Sequence, residues 1–126
     1  MIRHKLRIQL VTYLYQHILL NKSIAAIIVD EDLLPDTEDH IYLLNNLYNL
    51  IENEQEYAEF IKQHLNPEWK YERLLAIDKA ILLCAISEYA IDEAARAVII
   101  NEAVEIAKVY SSEDSYAFIN GILDSL

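Results

Sequence analysis

Turn-forming residues are almost missing from this sequence. One glycine and two prolines serve all 126 residues. An all-β fold needs a turn about every 8–12 residues, so that class is excluded. The turns that do exist must be made mostly by Asn, Asp and Ser. One cysteine excludes an internal disulfide. Cys84 sits in the apolar stretch 80–86 and reads as a small buried residue, a usage that fits a reducing compartment. No apolar run reaches the roughly 18 residues of a membrane span. His4, His17, His40 and His64 lack metal-ligand spacing, and the acidic stretch 30–39 lacks the order of a calcium loop. There is no phosphate-cradling glycine loop and no paired His and Cys nucleophile. Neither catalysis nor a metal or cofactor is expected.

What is present points to helices. Hydrophobic residues make up 54% of the chain, which argues against disorder. The length suits one domain, 1–126. The net charge is −11, but it is unevenly spread. Residues 1–29 hold Arg3, Lys5, Arg7 and Lys22 and no acid, a balance of +4, while residues 30–126 carry −15. Such asymmetry suggests one end that meets a polyanion. The basic start imitates a signal peptide, but Gln9, Thr12, Gln16 and His17 interrupt the apolar region behind it. The expectation is a cytoplasmic protein.

A first helix is predicted over 3–21. Lys5, Gln9, Thr12 and Gln16 form its polar stripe; Leu6, Leu10, Tyr13, Leu14 and Ile18 face a core. Arg3 and Arg7 extend the apolar face and cannot be buried unpaired, so these turns must project past the core or dock on something anionic. Ser23 starts a short helix over 24–29, and Thr37 caps the next. Apolar steps mark 38–52, with Ile41, Leu44, Leu47, Tyr48 and Ile51, and again 54–65, which Asn66-Pro67 ends. Trp69 is expected to anchor a connector to the core. Residues 72–90 are apolar nearly all round and read as a buried central helix. A helix over 97–109 follows, and Ser111 to Asp114 reads as a cap with acids for the last one. Asn120-Gly121 is a hairpin signal, yet Phe118, Ile119, Ile122, Leu123 and Leu126 recur at helical steps around it.

The C-terminal part reads Ile100-Asn101-Glu102-Ala103, then Ala107-Lys108, then Glu113-Asp114-Ser115, then Phe118-Ile119-Asn120-Gly121-Ile122-Leu123-Asp124. This resembles the signature of the NusB family of bacterial transcription antitermination factors. Ile77-Asp78-Lys79-Ala80-Ile81-Leu82 is similar to a second family segment, and the basic start followed by Leu14-Tyr15 to its arginine-rich first helix. The resemblance implies an all-α fold of about seven helices in two packed subdomains, with Asn120-Gly121 inside the last helix. Gly121 would then allow close approach of another backbone.

The resemblance also implies a function. Family members bind boxA, a single-stranded RNA element of nascent ribosomal RNA. They do so with a ribosomal small-subunit protein, NusE, and join an RNA polymerase complex that suppresses premature termination. Carried over by position, Arg3, His4, Lys5, Arg7, Tyr15, Asp78 and Lys79 would contact RNA, and Asp114 and Phe118 would face the protein partner. Basic groups can neutralise phosphates, a tyrosine can stack on an unpaired base, and an aspartate can accept from base amino groups. His4 and Lys5 thin the arginines of the family pattern, and Leu83 and Ala95 stand where Arg and Pro are usual. Alternatives therefore stay open: a NusB-like protein-interaction module that has lost RNA binding, or a plain helical scaffold.

Overall fold

The structure is a computed structural model and describes residues 3–126. The described residues form six α-helices and one 3-10 turn: α1 Arg3–Leu20, α2 Ile24–Asp30, α3 Glu38–Gln63, the turn Tyr71–Arg73, α4 Ala76–Ala90, α5 Arg96–Tyr110 and α6 Ser115–Leu123. The expected all-α class and a count near seven both hold.

The scarcity of glycine is met as the composition requires. Asn21, Asp32 and Asp92 adopt left-handed backbone, with φ of 54°, 52° and 55°. They follow α1, α2 and α4, where a glycine commonly stands. Short polar side chains tolerate this region better than other L-residues. At the end of α4 the reversal is closed by Asp92 N–H to the Tyr89 carbonyl (3.2 Å) and Glu93 N–H to the Glu88 carbonyl (2.9 Å). The helix starts also follow the sequence. Ser23 Oγ accepts from the Ala26 amide at 3.0 Å, and Thr37 Oγ1 from the His40 amide at 3.1 Å.

α4 is the central helix. Residues from Ala80 to Glu88 are all buried, and α4 packs against α1, α3, α5 and α6. Cys84 is inside it, and burial pushes its thiol pKa up. α1, α2 and α3 pack on one another, and α5 packs on α6. Ser87 of α4 donates to Asn46 Oδ1 at 2.8 Å and accepts from Asn49 Nδ2 at 3.0 Å, which fixes the register of α3 on α4.

Four expectations need correction. The two apolar stretches 38–52 and 54–65 belong to one helix of 26 residues; Glu52, Asn53 and Glu54 break the apolar pattern, but none is a helix breaker. Its core face is also different. Tyr42, Leu43, Leu47 and Leu50 are buried, whereas Ile41, Tyr48 and Ile51 are exposed. Apolar residues lie all round the first half of α3, so periodicity alone does not choose among them. Trp69 is not in the core: it is 50% exposed. Finally, Asp114 makes no capping hydrogen bond for α6.

Gly121 lies in α6, as the resemblance implied, but not for the expected reason. A Cβ built there would meet nothing within 4 Å, and the residue has no positive φ. No neighbouring backbone of this chain needs the space. Gly121→Ala should therefore stabilise the protein by about 0.5–1 kcal/mol through helix propensity, read as a raised urea midpoint. A loss of stability would show that the open space closes in solution.

One buried-edge histidine ties α1 to its neighbours. His17 Nδ1 lies 2.6 Å from the Lys22 carbonyl, and Nε2 lies 2.7 Å from Glu54 of α3. Both partners are acceptors, so both ring nitrogens must donate, which only the imidazolium can do. The Glu54 bond raises the His17 pKa, against burial. A raised pKa gives stability that is fully present below the unfolded value of about 6.5 and lost as pH rises through the folded value. The stability advantage of the parent over His17→Gln should thus shrink as pH rises above the unfolded value of about 6.5. A pH-independent difference in denaturant midpoints would count against the imidazolium.

Candidate functional site

The basic residues of α1 do not stand free. Arg7 is only 6% exposed. Its Nε donates to both oxygens of Glu88 in α4, at 3.1 and 2.9 Å, and its Nη1 to Glu102 of α5 at 3.2 Å. Burial opposes the guanidinium charge, but the Glu88 hydrogen bond and the surrounding negative charge outweigh it, and the Arg7 pKa rises. The anion on which this turn docks is thus part of the same chain, and Arg7 is not presented as a phosphate contact. His4 Nδ1 donates to the other oxygen of Glu102 at 2.5 Å. Arg3 pairs with Glu93 at 3.4 Å, and its guanidinium lies 4.3 Å from the centre of the Tyr42 ring. Lys22 pairs with Asp30 at 2.5 Å. Lys5 is exposed and has no ion-pair partner among the described residues. Tyr15, about three turns along α1 from Arg3, packs its ring partly against the core.

A second group gathers where the connector before α4 meets the start of α6. Asp78 is 5% exposed. It accepts from Ser111 Oγ at 2.5 Å and from Ser115 Oγ at 2.9 Å. The N-cap position of α4 is Leu75, so Asp78 does not cap its own helix; it pins the first turn of α6 to α4. Beside it opens a cleft of about 210 Å³, lined by Trp69, Arg73, Leu74, Asp78, Asp114 and Phe118 among others. Asp114 is exposed and Phe118 half-buried. The rings of Trp69 and Phe118 are 5.0 Å apart and tilted by 43°. Lys79 lies next door, its Nζ 4.9 Å from the Tyr71 ring centre and 3.4 Å from the Glu72 carbonyl.

The fold therefore separates the sequence-predicted residues into two places. Arg3, His4 and Arg7, on the first two turns of α1, meet three carboxylates. Asp78, Asp114 and Phe118 share the cleft. Sequence reasoning missed Trp69 and Arg73 as cleft residues. The signal was Trp69-Lys70-Tyr71-Glu72-Arg73, aromatic and basic groups interleaved in an acidic chain. Among the described residues no group of three or more His, Cys, Asp or Glu is placed to hold a metal ion. No helix there is long and apolar enough to cross a membrane.

One place is a largely buried ion-pair cluster and the other an open cleft lined by aromatic and charged side chains, both set on the frame of an all-helical bundle protein. Comparison with known proteins makes this specific. The chain belongs to the NusB family, whose model matches residues 4–126. It is similar to the transcription antitermination protein NusB of Sulfurovum sp., with 36% identity over 128 residues covering 98% of this chain and 96% of the relative. The NusB of Chloroherpeton thalassium is 36% identical over 104 residues, which cover 82% of this chain but only 49% of that longer protein. Among solved structures, T. maritima NusB superposes with a TM-score of 0.87 at 29% identity, covering 99% of this chain and 89% of that one.

Proposed function

We propose that this chain is a cytoplasmic transcription antitermination factor. It binds a boxA-type single-stranded RNA of nascent ribosomal RNA together with a ribosomal small-subunit protein, NusE, within an RNA polymerase antitermination complex. Family membership supports the antitermination role. The observation that carries the RNA reading is the cleft, where the Trp69 and Phe118 rings pack against each other beside the guanidinium of Arg73, which has no ion-pair partner among the described residues. Aromatic rings stack on unpaired bases, and cations follow the backbone. In this reading Lys5, Arg73 and Lys79 meet phosphates. Arg3 and His4 join them by exchanging their acids, and Tyr15 adds a ring farther along α1. Asp78 holds α6 in place and its outer side borders the bases. Asp114 and Phe118 lie where RNA and the protein partner meet. Arg7 acts through the position of α1.

A second reading is favoured by a specific observation. Among the described residues, Arg3 and Arg7 of α1 are paired with acids of the same chain and only Lys5 is not, which suits a protein-interaction module that has lost RNA binding. One titration separates the two. Labelled boxA-type RNA is titrated with the protein alone, with NusE alone and with both. The RNA reading expects weak, salt-sensitive binding alone and much tighter binding with both. Capture of NusE with no gain in RNA affinity selects the module.

A further inference from the structure

The three carboxylates around α1 come from parts of the chain distant in sequence, Glu88 in α4, Glu93 just after it and Glu102 in α5. Only Glu88 is fully inside, at 3% exposure. Glu93 and Glu102 reach the surface, where they hold the two residues at the start of α1. A carboxylate offers a guanidinium the same kind of charge-assisted acceptor as a phosphate oxygen, and it accepts from a histidine ring N–H as a phosphate oxygen would. Arg3 is further held in place by the Tyr42 ring.

We propose that Glu93 and Glu102 are internal competitors for RNA, acids that occupy Arg3 and His4 and so set how tightly this chain holds a polyanion. The proposal rests on the RNA reading above. A phosphate approaching Arg3 must displace Glu93, and one approaching His4 must displace Glu102. Each displaced acid then stands beside the phosphate as a like charge. RNA affinity is lowered twice, by the pair broken and by the repulsion left behind. A partner that engaged these acids would free the cations.

The test uses the full chain and a labelled short boxA-type RNA at low and high salt. Glu93→Gln and Glu102→Gln keep the hydrogen-bonding shape and remove the charge. Each should tighten binding roughly threefold to fivefold at about 50 mM salt, the scale of a half-exposed ion pair. The gain should shrink toward none near about 0.5 M, where such charges are screened. A purely structural role for these acids predicts no tightening at any salt. Glu102 also touches buried Arg7, so a thermal melt accompanies that variant. Among the described residues Glu93 pairs with Arg3 alone, so its variant decides the matter if Glu102→Gln is unstable. Lys5→Ala, at the cation that needs no exchange, separates the two levels of failure. If it weakens binding while Glu93→Gln leaves binding unchanged at low salt, the competitor idea is overturned and the RNA reading stands. If neither the parent nor any variant binds RNA, with or without NusE, both are overturned.

Discussion

Removing the Glu88 side chain should cost this protein about 3–5 kcal/mol, the cost of leaving a buried charge without its partner. Arg7 and Glu88 are 6% and 3% exposed. The guanidinium grips both carboxylate oxygens, at 3.1 and 2.9 Å. In Glu88→Ala the Arg7 charge stays in the same place among Leu10, Tyr42 and Ile99, which line the small void there. Glu102 at 3.2 Å compensates only in part. With an unfolding entropy of about 2 cal/mol/K per residue, the expected fall in Tm is about 10–20 °C. Arg7→Met alone should also destabilise strongly, since it leaves Glu88 buried and unpaired. The double variant Arg7→Met, Glu88→Leu should recover most of the loss, because it removes both desolvation costs and fills the space. With Glu88→Leu measured as well, the parent, Arg7→Met, Glu88→Leu and the double variant form a double-mutant cycle whose coupling should exceed about 2 kcal/mol. A Glu88→Ala cost below about 1 kcal/mol would mean the pair is solvated and α1 is not docked as described.

The second large effect concerns binding. Phe118→Ala and Trp69→Ala should each weaken RNA binding by about 1–3 kcal/mol, the usual worth of one base stacked on an aromatic ring. The two rings touch, at 5.0 Å between centres, so the double variant should lose less than the sum. Tyr48→Ala supplies the control: that ring is 53% exposed on α3 and does not line this cleft. The chain carries its own reporter, because Trp69 is its only tryptophan. Bases stacking there should quench its emission in step with the binding curve from a label on the RNA. Binding seen by the label with unchanged Trp69 emission would move the base site away from this cleft.

Helix boundaries and turns were largely legible because they depend on near neighbours. A hydroxyl three residues before an amide caps a helix start, as Ser23 and Thr37 do. A short polar side chain permits left-handed backbone wherever it stands, so Asn and Asp could replace the missing glycines. The aromatic cleft was half legible. The segment resemblance pointed to Asp78, Asp114 and Phe118, but Trp69 was assigned to the core because large aromatics are usually buried. Nothing local said that Trp69 would lie half-exposed on Phe118.

The fate of the basic end was legible only as a need for an anion, not as to which one. In the sequence, residues 1–29 hold four cations and no acid. In the structure the decisive partners of Arg7 lie 81 and 95 residues away. The sequence alone determined the helical class, the helix starts at Ser23 and Thr37 and the family, because each rests on short-range geometry or on matched segments. The tertiary structure alone decided which face of α3 is buried, that Gly121 has no neighbour, and that Arg3, His4 and Arg7 are occupied by Glu88, Glu93 and Glu102. The physical reason is range. Capping and backbone preference act within a few residues, whereas burial and ion pairing act through space and depend on what α4 brings together between α1 and α5.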